Sequence, residues 1–233
     1  MSQMPYEADF TAARAEQSTF VAKVYGWMSA GLMLTAVVAL ATANSPTMIR
    51  AIFGNRALFF GLIIGELLLV IVLSAAINRM SAGLATVMFL AYAAVNGLTL
   101  SMIFLIYTKA SLTSTFFVTG GTFGALSLYG YYTKRDLTSI GNLCMMALFG
   151  LIIASVVNLF WANSTLYWIV TYAGVLIFVG LTAYDTQKIK RIAASVGTDG
   201  QVVRKAAILG ALRLYLDFIN LFLLLLRLLG RRR

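Results

Sequence analysis

Apolar stretches of spanning length recur along the whole chain, each closed by polar or charged residues. They run approximately from Tyr25 to Ala43, Ala57 to Ile77, Leu84 to Tyr107, Leu112 to Tyr132, Asn142 to Trp161, Leu166 to Tyr184 and Ala206 to Leu229. A hydrocarbon layer of roughly 30 Å takes about 20 apolar residues of helix to cross, so the pattern predicts seven transmembrane segments. Lipid offers the backbone no hydrogen bonds, which leaves helices as the default. The expected fold is therefore all-α and polytopic, with a polar N-terminal tail over residues 1–20 and one seven-helix transmembrane domain over 21–233. The tail, MSQMPYEADFTAARAEQSTF, lacks a signal-peptide core and reads as a flexible or surface-lying segment ahead of an uncleaved anchor.

Both prolines, Pro5 and Pro46, lie outside the apolar runs, so no helix requires a proline kink and the bundle is expected to be regular. Gly61 with Gly65, and Gly120 with Gly124, have the small-xxx-small spacing that lets helices approach closely, and are read as packing within the bundle. Tyr129, Tyr131, Tyr132, Trp161, Tyr167 and Trp168 sit near run ends, where amphipathic rings prefer the headgroup region.

Composition agrees with lipid as the solvent. The chain is 61% hydrophobic and 11% charged, against roughly 45 to 50% and 25% in a soluble domain. A net charge of +10 would suggest nucleic acid if it formed one soluble basic face, but here it lies in short runs between apolar stretches. Those runs orient the helices. With the N-terminus cytoplasmic, the inner side holds Arg14, Lys23, Arg79, Lys134, Arg135, Lys188, Lys190, Arg191, Arg204 and Lys205, while the outer loops hold Arg50, Arg56 and Lys109. A seventh segment that crosses puts Arg231, Arg232 and Arg233 outside, against the same rule; a re-entrant segment would remove the conflict, yet the run is long enough to span and crossing is favoured.

The chain has no histidine, which excludes serine-histidine triads, HExxH zinc sites and an imidazole pH switch. Its one cysteine, Cys144, lies inside an apolar run and is read as a packing residue. No phosphate-cradling glycine loop or paired metal motif is present, so an enzyme is not expected and no cofactor is implied. Proton chemistry falls to carboxylates.

A charge within a span costs about 2.5 to 3.5 kcal/mol, so each one asks for a partner or a purpose. Four residues qualify: Glu66 midway along the second run, Asp185 at the end of the sixth, and Arg213 with Asp217 in the seventh. Asp217 stands about eleven residues into its run, near mid-membrane at 1.5 Å per residue. Its simplest role is an ion pair with Arg213, one turn earlier. The sixth and seventh runs, however, are joined by one short loop, so Asp185 and Asp217 can be neighbours. Two carboxylates in a low-dielectric site share a proton and titrate as a coupled pair. Deprotonated, they suit calcium, but supply too few of its six to eight oxygens for tight storage. The expectation is a transient calcium contact on a leak path, completed by water, carbonyls or a side chain such as Asn220. Glu66 is either a third station or a buried, hydrogen-bonded acid, and the second reading is preferred. The Lys134, Arg135, Asp136 turn reads as an ordinary cytoplasmic loop.

At these residues the sequence resembles the Bax inhibitor-1 family, specifically its bacterial members. LYLDFINLFLLLLRLLG (Leu214 to Gly230) is similar to the family's seventh-helix motif, GLTAYDTQKIK (Gly180 to Lys190) to the end of its sixth helix, and the KRDL turn at Lys134 to Leu137 matches as well. The resemblance implies seven helices with the last one central, and a pH-sensitive calcium leak in which Asp185 and Asp217 are the sensing pair, hydrogen-bonded when protonated and parted as the pore opens. It also implies a latch arginine near the end of the second helix, where this chain offers Arg79 in SAAINRMSAG without a clear equivalent. Arg213 is an alternative latch suggested by its own position. The partners expected are the lipid bilayer, calcium and protons, at a bacterial inner membrane. The competing reading is an interaction protein without transport, which modulates a membrane-bound AAA-type quality-control protease through the N-terminal tail.

Overall fold

A computed structural model gives the fold; it describes the chain from residue 4 to residue 233, with side chains from residue 15. The described residues are helical almost throughout: α1 (Met4–Ala43), α2 (Pro46–Gly54), α3 (Arg56–Ala76), a 3₁₀ turn (Ile77–Arg79), α4 (Ala82–Leu100), α5 (Ile103–Ile106), α6 (Lys109–Tyr132), α7 (Thr138–Phe160), α8 (Ser164–Ala193) and α9 (Gly200–Leu229). Local chemistry sets the starts. Ser45 caps α2 with Pro46 at the first turn, Asn55 Oδ1 accepts from the amides of Ala57 and Leu58 to open α3, and Ser81 and Thr108 cap α4 and α6.

Among the described residues six helices are long and apolar enough to cross a membrane: Ala15–Ala43, Arg56–Arg79, Ala82–Ile106, Thr138–Phe160, Ser164–Ala193 and Gly200–Leu229. The fourth predicted run falls on α6, a helix of 24 residues, but its serines, threonines and glycines keep it out of that set. The spans differ in burial: 72% of the most apolar stretch of α9 is buried, against none for α7.

Several expectations change. The polar N-terminal segment is helical from Met4 and runs without a break into the first span; Gln17 donates to the Lys190 carbonyl at 2.9 Å and Phe20 is buried. The third span is not regular, for α4 ends at Leu100 and α5 begins at Ile103. Serine does here what proline does elsewhere: the buried Ser101 sends both its amide and its hydroxyl to the Leu98 carbonyl, drawing the chain out of the i to i−4 ladder. Gly61, Gly65, Gly120 and Gly124 do not pack against the described chain, since a Cβ at any of them would meet nothing within 4 Å. The seventh segment is one continuous 30-residue helix, the form a crossing segment takes. Its end is tied to the start of α6: Thr108 donates to the Arg231 carbonyl, Arg231 donates to Ser111 Oγ, and Tyr107 pairs with Arg232.

The residues form two compact units, the first comprising Met1–Ile106 with Ile189–Tyr215 and the second Tyr107–Lys188 with Leu216–Arg233. In the first, Gly31 on α1 admits the rings of Phe89 and Tyr215, which meet edge to face at 6.0 Å, and Tyr92 stands 5.6 Å from Tyr215. In the second, Ile177, Phe178 and Leu181 of α8 pack on Leu221 and Leu224 of α9, and Gly130 of α6 touches the Ala183 carbonyl. A side chain on Gly130 would overlap that backbone, so glycine here fixes how closely α6 and α8 approach.

Candidate functional site

The second unit holds both aspartates. Asp185 is 8% exposed and Asp217 4%, each on the buried side of a long apolar helix. Gly174 lies against Leu224, and continuing that antiparallel register places Leu181 opposite Asp217, with Asp185 one turn beyond on the same edge of α8. Side chains lean toward the N-terminal end of their own helix, and α8 and α9 run in opposite directions. On that register Asp185 and Asp217 stand about one helical turn apart along the antiparallel α8 and α9.

The end of α8 is held in place from two sides. The ring of Tyr184 fills the space left open by Gly141 at the start of α7, with the Lys188 ammonium 5.6 Å from its centroid. Gln187, 6% exposed, accepts from the Leu137 amide at 3.0 Å and donates to the Arg135 carbonyl at 2.8 Å. The KRDL turn is thus clamped to α8 two residues beyond Asp185, more than an ordinary loop. Sequence reasoning passed over Gln187; the signal available was a glutamine with no polar neighbour requirement inside a motif already singled out.

The remaining candidates are dispersed. Asn220 donates to the Leu216 carbonyl, one turn back on its own helix, which leaves its oxygen as the group it can offer a cation. Arg213 is exposed and belongs to the first unit, as does Arg79, exposed at the end of the 3₁₀ turn that follows α3. Glu66 lies in the first unit within a hydrogen-bonded chain. Its carboxyl group accepts from Asn96 Nδ2 at 3.2 Å and Thr99 Oγ1 at 2.7 Å; Asn96 Oδ1 accepts from the Tyr215 hydroxyl at 3.1 Å; that hydroxyl meets Thr35 Oγ1 at 2.7 Å, and Thr35 reaches the carbonyls of Ala93 and Gly31. Four helices are pinned by one string of polar groups.

The first unit also contains a cavity of about 720 Å³, lined by α1 and by the connection from α8 to α9. Phe20, Lys23 and Trp27 face it together with Arg204, whose guanidinium stands 5.9 Å from the Trp27 ring. Among the described residues no three of His, Cys, Asp or Glu gather as a metal cage, so calcium at the aspartates would take further oxygens from water, carbonyls or amides.

The family model described as "Inhibitor of apoptosis-promoting Bax1" matches residues 17–233. The inner membrane protein YbhL of Escherichia coli K12 is 55% identical over the full length of both chains. A protein of Borreliella burgdorferi is 46% identical over 97% of this chain and 98% of its own, and protein RP147 of Rickettsia prowazekii is 44% identical over 92% and 90%. A match across nearly every helix described above, together with full-length identity of this order, establishes that the chain belongs to the Bax inhibitor-1 family.

Proposed function

We propose that this protein is a pH-sensitive leak for calcium or related cations in a bacterial inner membrane, with Asp185 and Asp217 as its proton sensor and transient cation contact. One observation carries the reading: two buried carboxylates lie on antiparallel helices of the same compact unit, about one turn apart in register. Carboxyl groups so placed hold one proton between them at moderate acidity, and repel once both are ionised. The repulsion acts on the α8–α9 contact and opens a path; the same oxygens, once charged, attract a hard cation without caging it. That the relative YbhL is an inner membrane protein supports the location, and the leak is carried over from the family resemblance.

The complete architecture on this reading is seven crossing helices, α6 included, with α9 central as its burial suggests. The N-terminus is cytoplasmic, because the Lys134 turn and the α8–α9 connection carry most of the loop lysines and arginines. The C-terminal arginines then lie outside, where Arg227 stands 5.6 Å from the ring of Tyr167.

Purified protein in liposomes, assayed for calcium flux against pH, tests the proposal. Wild type should leak with a defined pH midpoint, while Asp185→Asn and Asp217→Asn should leak at a rate independent of pH. A wild-type protein that passes no calcium, or variants that keep its pH profile, would overturn it. Arg213→Ala examines the latch within the same assay: a shifted midpoint assigns the latch to Arg213, and an unchanged one removes it from the mechanism.

A further inference from the structure

Helix α6 is polar for its length, and its polar residues are on the wrong side for lipid to explain. Ser111, Thr115, Thr119 and Ser127 are all buried, at 8%, 1%, 0% and 7% exposure, and fall on one face at intervals of four and eight residues. Phe123, 3% exposed, occupies the intervening position. The opposite face is apolar and open, with Phe117 71% exposed and Leu128 60%. The helix thus turns hydroxyls inward and hydrocarbon outward.

Hydroxyls in membrane helices ordinarily return their proton to the carbonyl one turn back. Thr119 does so to Thr115, as do Ser155, Thr171 and Thr182 elsewhere in the same unit. Ser111 is occupied by the Arg231 amide and the Thr108 hydroxyl. Thr115 Oγ1 and Ser127 Oγ are buried with no hydrogen bond to the protein. A buried hydroxyl without a partner destabilises the fold, which valine or alanine of similar shape would not. The stripe also runs past the aspartate: the Phe218 ring, one residue from Asp217, is flanked by Phe116 at 5.7 Å and Phe123 at 5.4 Å, so the turn carrying Thr119 lies beside that of Asp217.

We infer that the Ser111, Thr115, Thr119, Ser127 face of α6 is the hydroxyl wall of a cation route that passes Asp217, closed in this structure and taking in water as it opens. Neutral hydroxyls replace part of a cation's water shell without holding it, which suits passage more than storage. The assignment rests on the cation-leak reading, and its test separates the two.

In a Cys144→Ala background, Thr115→Cys and Ser127→Cys are compared with Phe117→Cys and Leu128→Cys for reaction with a small membrane-impermeant cationic thiosulfonate. Thiols react as thiolates and need water, so the two inward positions should react about tenfold faster or more than the two outward ones. Thr115→Val and Ser127→Ala, which keep shape and remove the hydroxyl, should lower calcium flux several-fold while leaving thermal stability unchanged or raised. Inward cysteines as inert as the outward ones, with Thr115→Val leaking at the wild-type rate, would overturn the inference and leave the leak itself standing. A wild-type protein that passes no calcium while Thr115→Cys reacts readily would sink the leak instead and leave the water route in place.

Discussion

Glu66 in the first unit and Asp185 with Asp217 in the second are all carboxylates inside long apolar helices, yet their surroundings differ. Both oxygens of Glu66 are engaged by side chains of α4, and the hydrogen-bonded string behind them ends on backbone carbonyls of α1 and α4. The aspartates are buried on antiparallel α8 and α9, in a unit where Thr115 and Ser127 of α6 have no hydrogen bond within the protein. A polar group held on all sides by fixed partners serves the fold. Buried hydroxyls without a partner, as at Thr115 and Ser127, have hydrogen bonds left to offer water or an ion. The contrast assigns a structural role to Glu66 and leaves the second unit as the place where the proposed leak is tested.

The largest effect expected on either unit is from Gly130→Val, which drives a side chain into the Ala183 carbonyl and should cost about 3 kcal/mol or more by overpacking. Thermal unfolding in detergent would read it; an unchanged midpoint would mean that α6 and α8 do not touch there. Next comes Tyr215→Phe, which takes from Asn96 Oδ1 its buried donor and from Thr35 one of its partners in the first unit. A loss of about 1 to 3 kcal/mol is expected, with the pH profile of the leak intact. A moved pH midpoint with little loss of stability would break the comparison, since it would give the first unit a share in sensing.

Gln187→Leu should cost about 1 to 2 kcal/mol through two lost hydrogen bonds. It should also speed tryptic cleavage after Lys134 or Arg135 in inverted vesicles; cleavage at the wild-type rate would show that the clamp is not what orders the turn. The smallest effect belongs to Glu66→Gln. The amide accepts from Asn96 and donates to Thr99, whose own hydroxyl then serves the Asn96 carbonyl 3.0 Å away, so stability should change by less than about 0.5 kcal/mol. Leak and pH dependence should match wild type, whereas any change of pH midpoint would make Glu66 a station.

Much of this was legible in the sequence. Positions of the long helices follow from runs of apolar residues because lipid rewards one property, and does so over the full length of each span. Asp185 and Asp217 stood out for the same reason, as charges where charge is expensive. What escaped depended on single side chains meeting distant partners. Pro46 and Asn55 bracket α2, but a nine-residue helix between spans leaves no hydropathy trace. The break after Leu100 hangs on one hydroxyl of Ser101. Gln187 looks like any motif glutamine until the KRDL turn arrives beside it. The glycine pairs illustrate the converse: their spacing suggested internal packing, and the tertiary structure leaves all four facing open space while the unremarked Gly130 and Gly141 make the close contacts.

The sequence by itself determined that this chain is a helical membrane protein, where its long helices lie, and which few ionisable groups they carry, since burial in lipid is a property of composition along the chain. Only the tertiary structure decided which face of α6 holds its hydroxyls against the interior, that Glu66 is bound into a hydrogen-bonded string, and in which register α8 packs on α9. Those outcomes depend on helix register and rotation, and register is fixed by contacts between residues far apart in sequence, such as Gly174 with Leu224 and Gly130 with Ala183.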